Sequence, residues 1–214
     1  LPSLRAPVVL AIVAAATFAR GISYGFVSDD HGILHSSERV RQLSSAYLVF
    51  VNTSTWIIND RAVSPIVTYR PLALSTMVID QAIFGGDPWG FHLTNVFLHV
   101  CCVLVFWILL RRLSVSVAAS FALALVFAVH PVGAEAITWI NGRSEPLCLL
   151  FGMATLVLCA RPNTPSAVRL PGIAATIALS LFGKETGIVF LVLGIGLHVR
   201  GADRRALAAG VAAL

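Results

Sequence analysis

Apolar runs long enough to cross a bilayer recur along this chain, and no other feature limits its fold as strongly. A spanning helix needs about 20 mostly apolar residues. Runs of that kind stand at about 7–27, 91–110, 115–131, 135–160, 170–183 and 186–199, with the start of another at 205–214. The last two full runs are short and closely joined. Of the 214 residues only 12% are charged and 57% are hydrophobic. Soluble domains carry about 25% charged residues, so there are too few polar side chains here to coat a soluble core. Backbone amides in hydrocarbon must be satisfied within the chain, which leaves helices or closed barrels as spanning structures. Runs of this length read as helices, so the expected fold is an all-α polytopic bundle forming a single membrane domain over 1–214. No period of 20–50 residues marks a soluble repeat array.

Between the first two runs lies a long mixed stretch, 28–90. It holds "RVRQLSSAYLVFVNTSTWIIND" and "YRPLALSTMVIDQAIFGG". Both read as amphipathic helices lying along the membrane surface, with Pro71 suited to a first helical turn. With the N-terminus cytoplasmic, the short inner loops hold Arg111, Arg112, Arg161, Arg169, Arg200, Arg204 and Arg205, and the short outer loops only Arg143 and Lys184. That is the bias of the positive-inside rule, so the net charge of +5 is a topological signal. Basic patches interleaved with aromatics are absent, which argues against a nucleic-acid partner. Cys101, Cys102, Cys148 and Cys159 all sit in apolar runs, where small buried thiols are common, and imply neither disulfides nor a metal site. The chain begins at Leu1 without Met and stops inside an apolar run, and it reads as a fragment of a longer protein rather than as one with a cleaved signal peptide.

This orientation gathers the unusual polar residues at the outer ends of the spans. "FVSDDHGI" places Asp29, Asp30 and His31 just after the first span. One aspartate of such a pair can serve as a general base, the pair can simply cap the span in water, or Asp30, His31 and His35 can ligate a divalent ion. In "TYRPL", Arg70 precedes a helix-starting proline, a position that attracts phosphate or carboxylate or lets the side chain snorkel to headgroups. In "GFHLTNVFLHV", His92, Asn95 and His99 share one helical face. His92 and Asn95 read as lining a polar cavity, and the deeper His99 as a structural hydrogen-bonding residue. "VFAVHPVGAEAITWINGRSE" adds His130, Glu135, Arg143 and Glu145, which suit a short outer helix followed by re-entry or an outer loop with internal ion pairs. Lys184, the sole lysine, stands beside Glu185 between apolar runs. A charge at mid-membrane costs about 2.5–3.5 kcal/mol on insertion scales, so Lys184 calls for an anionic partner: a phosphate, or a pair with Glu135 or Glu145.

Taken in order, the outer Asp-Asp, "YRPL", "GFHLTNVFLH", "FAVHPVGAEAITWINGRSE" and "GKETGI" resemble the membrane half of the transmembrane and tetratricopeptide-repeat protein O-mannosyltransferases and their bacterial relatives, within the GT-C class of membrane glycosyltransferases. The resemblance runs from about residue 20 to 200. It implies a GT-C type bundle that transfers a sugar, mannose in this family, from a polyprenyl-phosphate carrier to a protein Ser or Thr with inversion, on the outer or lumenal side of a bacterial inner membrane or the endoplasmic reticulum. By its place in the motif, Asp30 would be the general base, with Asp29 beside it. Arg70 and Lys184 are the candidates for the donor phosphate. His31, His92, Asn95, His130, Glu135, Arg143, Glu145 and Glu185 would line the same pocket. No cofactor is implied beyond the lipid-linked donor, and a divalent metal is left open. Tetratricopeptide repeats and several further spans would belong to the complete protein.

Two other readings compete. A transporter or channel would use intramembrane His, Lys and Glu as an ion path, yet the polar residues gather at one face, with only Asp80, His99 and His198 hinting at a route across. A non-catalytic scaffold subunit would use the same residues to hold helices together. "NTS" at Asn52–Ser54 matches an N-glycosylation acceptor on the expected outer side.

Overall fold

The central helix, α4 (Pro88–Arg112), begins where its sequence dictates. Asp87 is extended at the N-cap, Pro88 occupies the first turn, and Arg111 and Arg112 close the last turn, placing cations at the negative end of the helix dipole. The chain then turns through Ser114, whose φ of 64° stops the helix. At 25 residues and 1.5 Å per residue, α4 is about 37 Å long, enough to cross a hydrocarbon core of about 30 Å. The computed structural model describes residues 2–27, 30–31, 41–51, 69–160 and 165–199. Asp29, the 205–214 run and the Asn52–Ser54 triplet lie outside them.

Among these residues every regular element is helical. α1 (Pro2–Phe18) continues as a 3-10 turn over Ala19–Ser23; α2 (Ser45–Val51) and α3 (Pro71–Phe84) follow, then α4, α5 (Val117–Val129) and the short α6 (Ala134–Thr138). α7 (Ser144–Cys159), α8 (Ser166–Gly183) and α9 (Glu185–Val199, its first turn 3-10) complete the bundle. Four stretches are long and apolar enough to cross a membrane, Arg5–Ser23, Pro88–Arg112, Ile140–Cys159 and Ser166–Gly183, and α5 with the segment after it makes a fifth if the bent pair is one span. The protein is an integral membrane protein on these grounds.

α4 packs against α1, α3, α5, α6 and α7. Leu10 and Ala14 of α1, Val103 of α4, and Ala124 and Ala128 of α5 form one buried cluster. Small residues from α1 and α5 let these helices approach closely, as membrane interfaces do. On the other side, Cys102 and Leu109 meet Met153, Leu156 and Val157 of α7, with Phe190 and Leu197 of α9 packed against them.

Two elements differ from the pattern of apolar runs. The run 135–160 is not one helix: α6 ends at Thr138, Trp139 is extended, a 3-10 turn covers Ile140–Arg143, and α7 starts at Ser144. Together with a 46° bend between Val117–Val129 and Pro131–Thr138, this makes the segment 130–143 an irregular stretch at one end of the bundle. α3, expected as an amphipathic helix on the membrane surface, packs on α4, α7 and α8 and buries Ala73, Ser75, Met77, Val78 and Asp80. Its 14 residues reach only about 21 Å, so it lodges in the end of the bundle without crossing.

Candidate active site

The ends of α1 and α8 and the starts of α3, α4, α7 and α9 meet at one end of the bundle, and a cavity of about 670 Å³ opens there. Arg70, Glu135, Asn141, Ser144, Glu145 and Lys184 supply its polar part, while Cys102, Phe127, Leu149, Val189 and Phe190 supply its apolar depth. At the opposite end, the described arginines Arg111, Arg112 and Arg169 stand in the last turn of α4 and the first turn of α8.

Arg70 sits at the N-cap of α3, one residue before Pro71. Its guanidinium forks onto Glu185, Nη2 to Oε1 at 3.1 Å and Nε to Oε2 at 3.4 Å, and Nη1 donates to Ser144 Oγ at 3.3 Å. Lys184 is extended at the junction of α8 and α9, and its Nζ pairs with Glu145 in the first turn of α7. The adjacent Lys184 and Glu185 thus reach to opposite sides, one to α7 and the other to α3. Both cations meet at the α7 N-terminus, which carries partial positive charge of its own. The Glu185 carboxyl is held below the ordinary carboxylate range by its own backbone N–H and by the Arg70 guanidinium.

The junction that carries Lys184 is fastened to α7. Ser180 Oγ donates to Cys148 O at 2.8 Å, and the Cys148 thiol donates to Lys184 O at 3.8 Å. Gly183 lies against the α7 main chain so closely that a Cβ there would stand 2.9 Å from Cys148 N.

Asp30 is 1% exposed. Its Oδ1 accepts from Asn141 N and its Oδ2 from Val27 N, both at 3.1 Å. It does not itself line the cavity but sits directly behind Asn141, which does. Trp139 also lines the cavity, and its buried indole N–H has no acceptor among the described residues.

The remaining sequence candidates divide. Glu135 and Glu145 border the cavity with Arg70 and Lys184. His92, Asn95 and Arg143 do not: all three are buried behind its wall. Asn95 accepts from Arg143 Nε at 2.7 Å and donates to Ile137 O and Trp139 O at 3.3 and 3.0 Å, so it ties α4 to the irregular segment. His92 lies edge-on to Tyr24 at 6.3 Å between ring centroids. The shared face read from the sequence exists, but its upper part meets Arg143 and the chain after α1 instead of open space. His99 borders the cavity depth, with Nε2 at 3.0 Å from Ala128 O. His31 and His130 are exposed; His31 Nε2 is 3.0 Å from Phe26 O, and His130 Nδ1 accepts from Val132 N at 3.2 Å, capping a turn. Among the described residues no group of three His, Cys, Asp or Glu could hold a metal ion. Asn141, Ser144 and Asp80 belong to this region and were not singled out as site residues from the sequence, although the Asn-Gly pair at 141–142 is a turn signal.

A multi-pass helical membrane protein with a charged cavity at one end of its bundle is thus defined. By sequence its curated relatives are TMTC protein O-mannosyl-transferases. Protein O-mannosyl-transferase TMTC4 of Homo sapiens is 33% identical over 165 residues, 71% of this chain and 22% of that protein. TMTC3 of Mus musculus is 29% identical over 189 residues, 86% and 20% respectively, and TMTC1 of Homo sapiens is 28% identical over 204 residues, 90% and 23%. The chain therefore spans about a fifth of the length of these relatives. No family model matches it, and no solved structure matches it.

Proposed function

We propose that this chain is the membrane part of a glycosyltransferase that moves a sugar, mannose by the relatives' names, from a polyprenyl-phosphate carrier to a protein Ser or Thr hydroxyl on the non-cytosolic side. The observation that carries this reading is the convergence of Arg70 and Lys184, from segments 114 residues apart, on a cavity whose far wall is the turn that holds Asp30. The carrier's phosphate would take the place now filled by Glu145 and Glu185, exchanging one anion for another at the same cations. The apolar depth beside Phe127, Val189 and Phe190 suits the first isoprene units.

In the transfer, the acceptor oxygen attacks the anomeric carbon, a new C–O bond forms, and the bond to the phosphate oxygen breaks with inversion. The hydroxyl proton passes to the Asp30 carboxylate. The phosphate leaves with its electron pair, and its growing charge is met by Arg70 and Lys184, since cations pre-placed where charge develops lower the barrier. Asp30 lies behind Asn141 in the cavity wall, so the acceptor proton meets its carboxylate at that wall, and the place of the Asn141 amide sets where they meet.

The test is transfer of radiolabelled mannose from polyprenyl-phosphate mannose to protein by the intact enzyme in proteoliposomes. Transfer that is lost in Asp30→Asn, with expression and insertion kept, supports the reading. Full transfer in that variant removes Asp30 from the chemistry, and ion flux without any transfer would favour a channel instead.

A further inference from the structure

Behind the cavity wall the protein buries an ion pair that takes no part in the ligand contacts above. Arg143 is 0% exposed and Asp80 4%, with Nη2 and Oδ2 2.6 Å apart. The remaining donors of the guanidinium are also engaged: Nη2 with Phe91 O at 2.8 Å, Nε with Asn95 Oδ1 at 2.7 Å and Nη1 with Thr76 Oγ1 at 3.4 Å. The other Asp80 oxygen accepts from Thr94 at 2.9 Å. The pair therefore locks α3 and α4 to the residue just ahead of α7.

Stability alone is a weak reason for such a pair. Removing two charges from water offsets most of their attraction, and apolar replacement of both partners is often neutral or stabilising. What the pair does secure is the position of the turn Ile140–Arg143. Ile140 is buried with Met77, Val78 and Phe91. Gly142 lies against α6, where a Cβ would stand 3.1 Å from Ala136 Cα and from the carbonyl oxygens of Glu135 and Ala136. Arg143 fixes the turn's other end. Between these anchors Asn141 presents its backbone N–H to Asp30 Oδ1 at 3.1 Å.

We propose that the buried Asp80–Arg143 pair is a positioning device, which holds the Asp30 carboxylate in place at the rear of the cavity through the Asn141 amide. Neither residue touches substrate. The inference rests on Asp30 being the base of the proposed transfer, and it makes Arg143 a residue that acts at one remove, with Asp80 as its partner.

The deciding variant is the double replacement Asp80→Leu with Arg143→Met in the intact protein, assayed for mannose transfer in proteoliposomes beside its thermal unfolding in detergent. Two apolar side chains remove the uncompensated charge that either single variant would leave. The expected result is an unfolding midpoint close to wild type, kcat at least tenfold lower, and KM for polyprenyl-phosphate mannose within twofold of wild type. A double variant that regains wild-type kcat along with its fold overturns the proposal, as does one that keeps kcat and raises only KM. Gly142→Ala shifts the Asn141 amide without touching a charge and decides the matter should the double variant not fold. It is expected to show the same fall in kcat at unchanged KM, and full activity in it overturns the proposal equally. If wild type transfers nothing, or Asp30→Asn transfers normally, the transferase reading itself fails, which these two controls report separately.

Discussion

Gly183 offers the sharpest test of how the cavity is built. A Cβ at this position would lie 2.9 Å from Cys148 N, 3.2 Å from Cys148 Cα and 3.4 Å from Leu147 C. All three are main-chain atoms of α7 and cannot rotate away, so α8 must retreat from α7 by roughly half an ångström to restore ordinary contact. Gaps of that size forfeit about a quarter to a half of each affected dispersion contact. Overpacking of this kind costs about 1–3 kcal/mol, or roughly fivefold to 150-fold in the folding equilibrium. The loss falls at the point where Ser180 and Cys148 fasten the two helices, one residue before Lys184. Gly183→Ala should therefore lower the thermal unfolding midpoint of the purified protein, followed by tryptophan fluorescence in detergent, and weaken binding of the lipid-linked donor. Gly196, within α9, has nothing within 4 Å of its Cβ position, so Gly196→Ala should stabilise by about 0.5–1 kcal/mol through helix propensity. A Gly183→Ala protein as stable as wild type, or one that shifts in the same direction as Gly196→Ala, would refute the tight seat of Gly183 on α7.

Replacing either cavity cation should show in donor binding. Arg70→Gln and Lys184→Gln each remove charge-assisted hydrogen bonds worth about 1.5–3 kcal/mol to a bound phosphate, and each should raise KM for the lipid-linked donor by roughly tenfold to 150-fold, measured by titrating polyprenyl-phosphate mannose; an unchanged KM in both would place the phosphate elsewhere. Glu185 supplies a pH signature. Its depressed folded-state value means that the Arg70–Glu185 contribution is present above the ordinary glutamate range and is fully lost only as pH falls through the lowered value. The stability difference between wild type and Glu185→Gln, followed by unfolding from neutral to acid pH, should begin to narrow as pH falls through the ordinary glutamate range and close by the lowered value, and a gap that instead widens on acidification would contradict the assignment.

The spanning helices were the most legible part of the sequence. The run at 91–110 is α4 and the run at 170–183 lies within α8, because length and apolarity are local properties. The break inside 135–160 escapes hydropathy, because Ala136, Ile137, Trp139 and Ile140 look like continuous apolar surface. It is the polar residues Glu135, Arg143 and Glu145 that read as a short helix followed by re-entry, and α6 is such a short helix. Partner choice was harder still. The sequence offers Lys184 a phosphate, Glu135 or Glu145, and it pairs with Glu145, a fact set by where α8 ends on α7. Counting spans sets Arg143 in an outer loop; its complete burial depends on a counter-charge 63 residues away on α3. The periodicity of His92, Asn95 and His99 showed that they share a face; it could not show which of them that face would turn toward a neighbour and which toward a void.

The irregular backbone at 130–143 bears on how the protein is made. Non-helical chain near hydrocarbon is tolerated only where its polar groups are satisfied by protein or water. Here the carbonyls of Ile137 and Trp139 are satisfied by Asn95, and the Asn141 N–H by Asp30. Asn95 and Asp30 are both synthesised first. During biogenesis the receiving side chains therefore reach the translocon before the segment that needs them, and a rearrangement of the gene that moved 130–143 ahead of α4 would present those groups to lipid with no partner waiting.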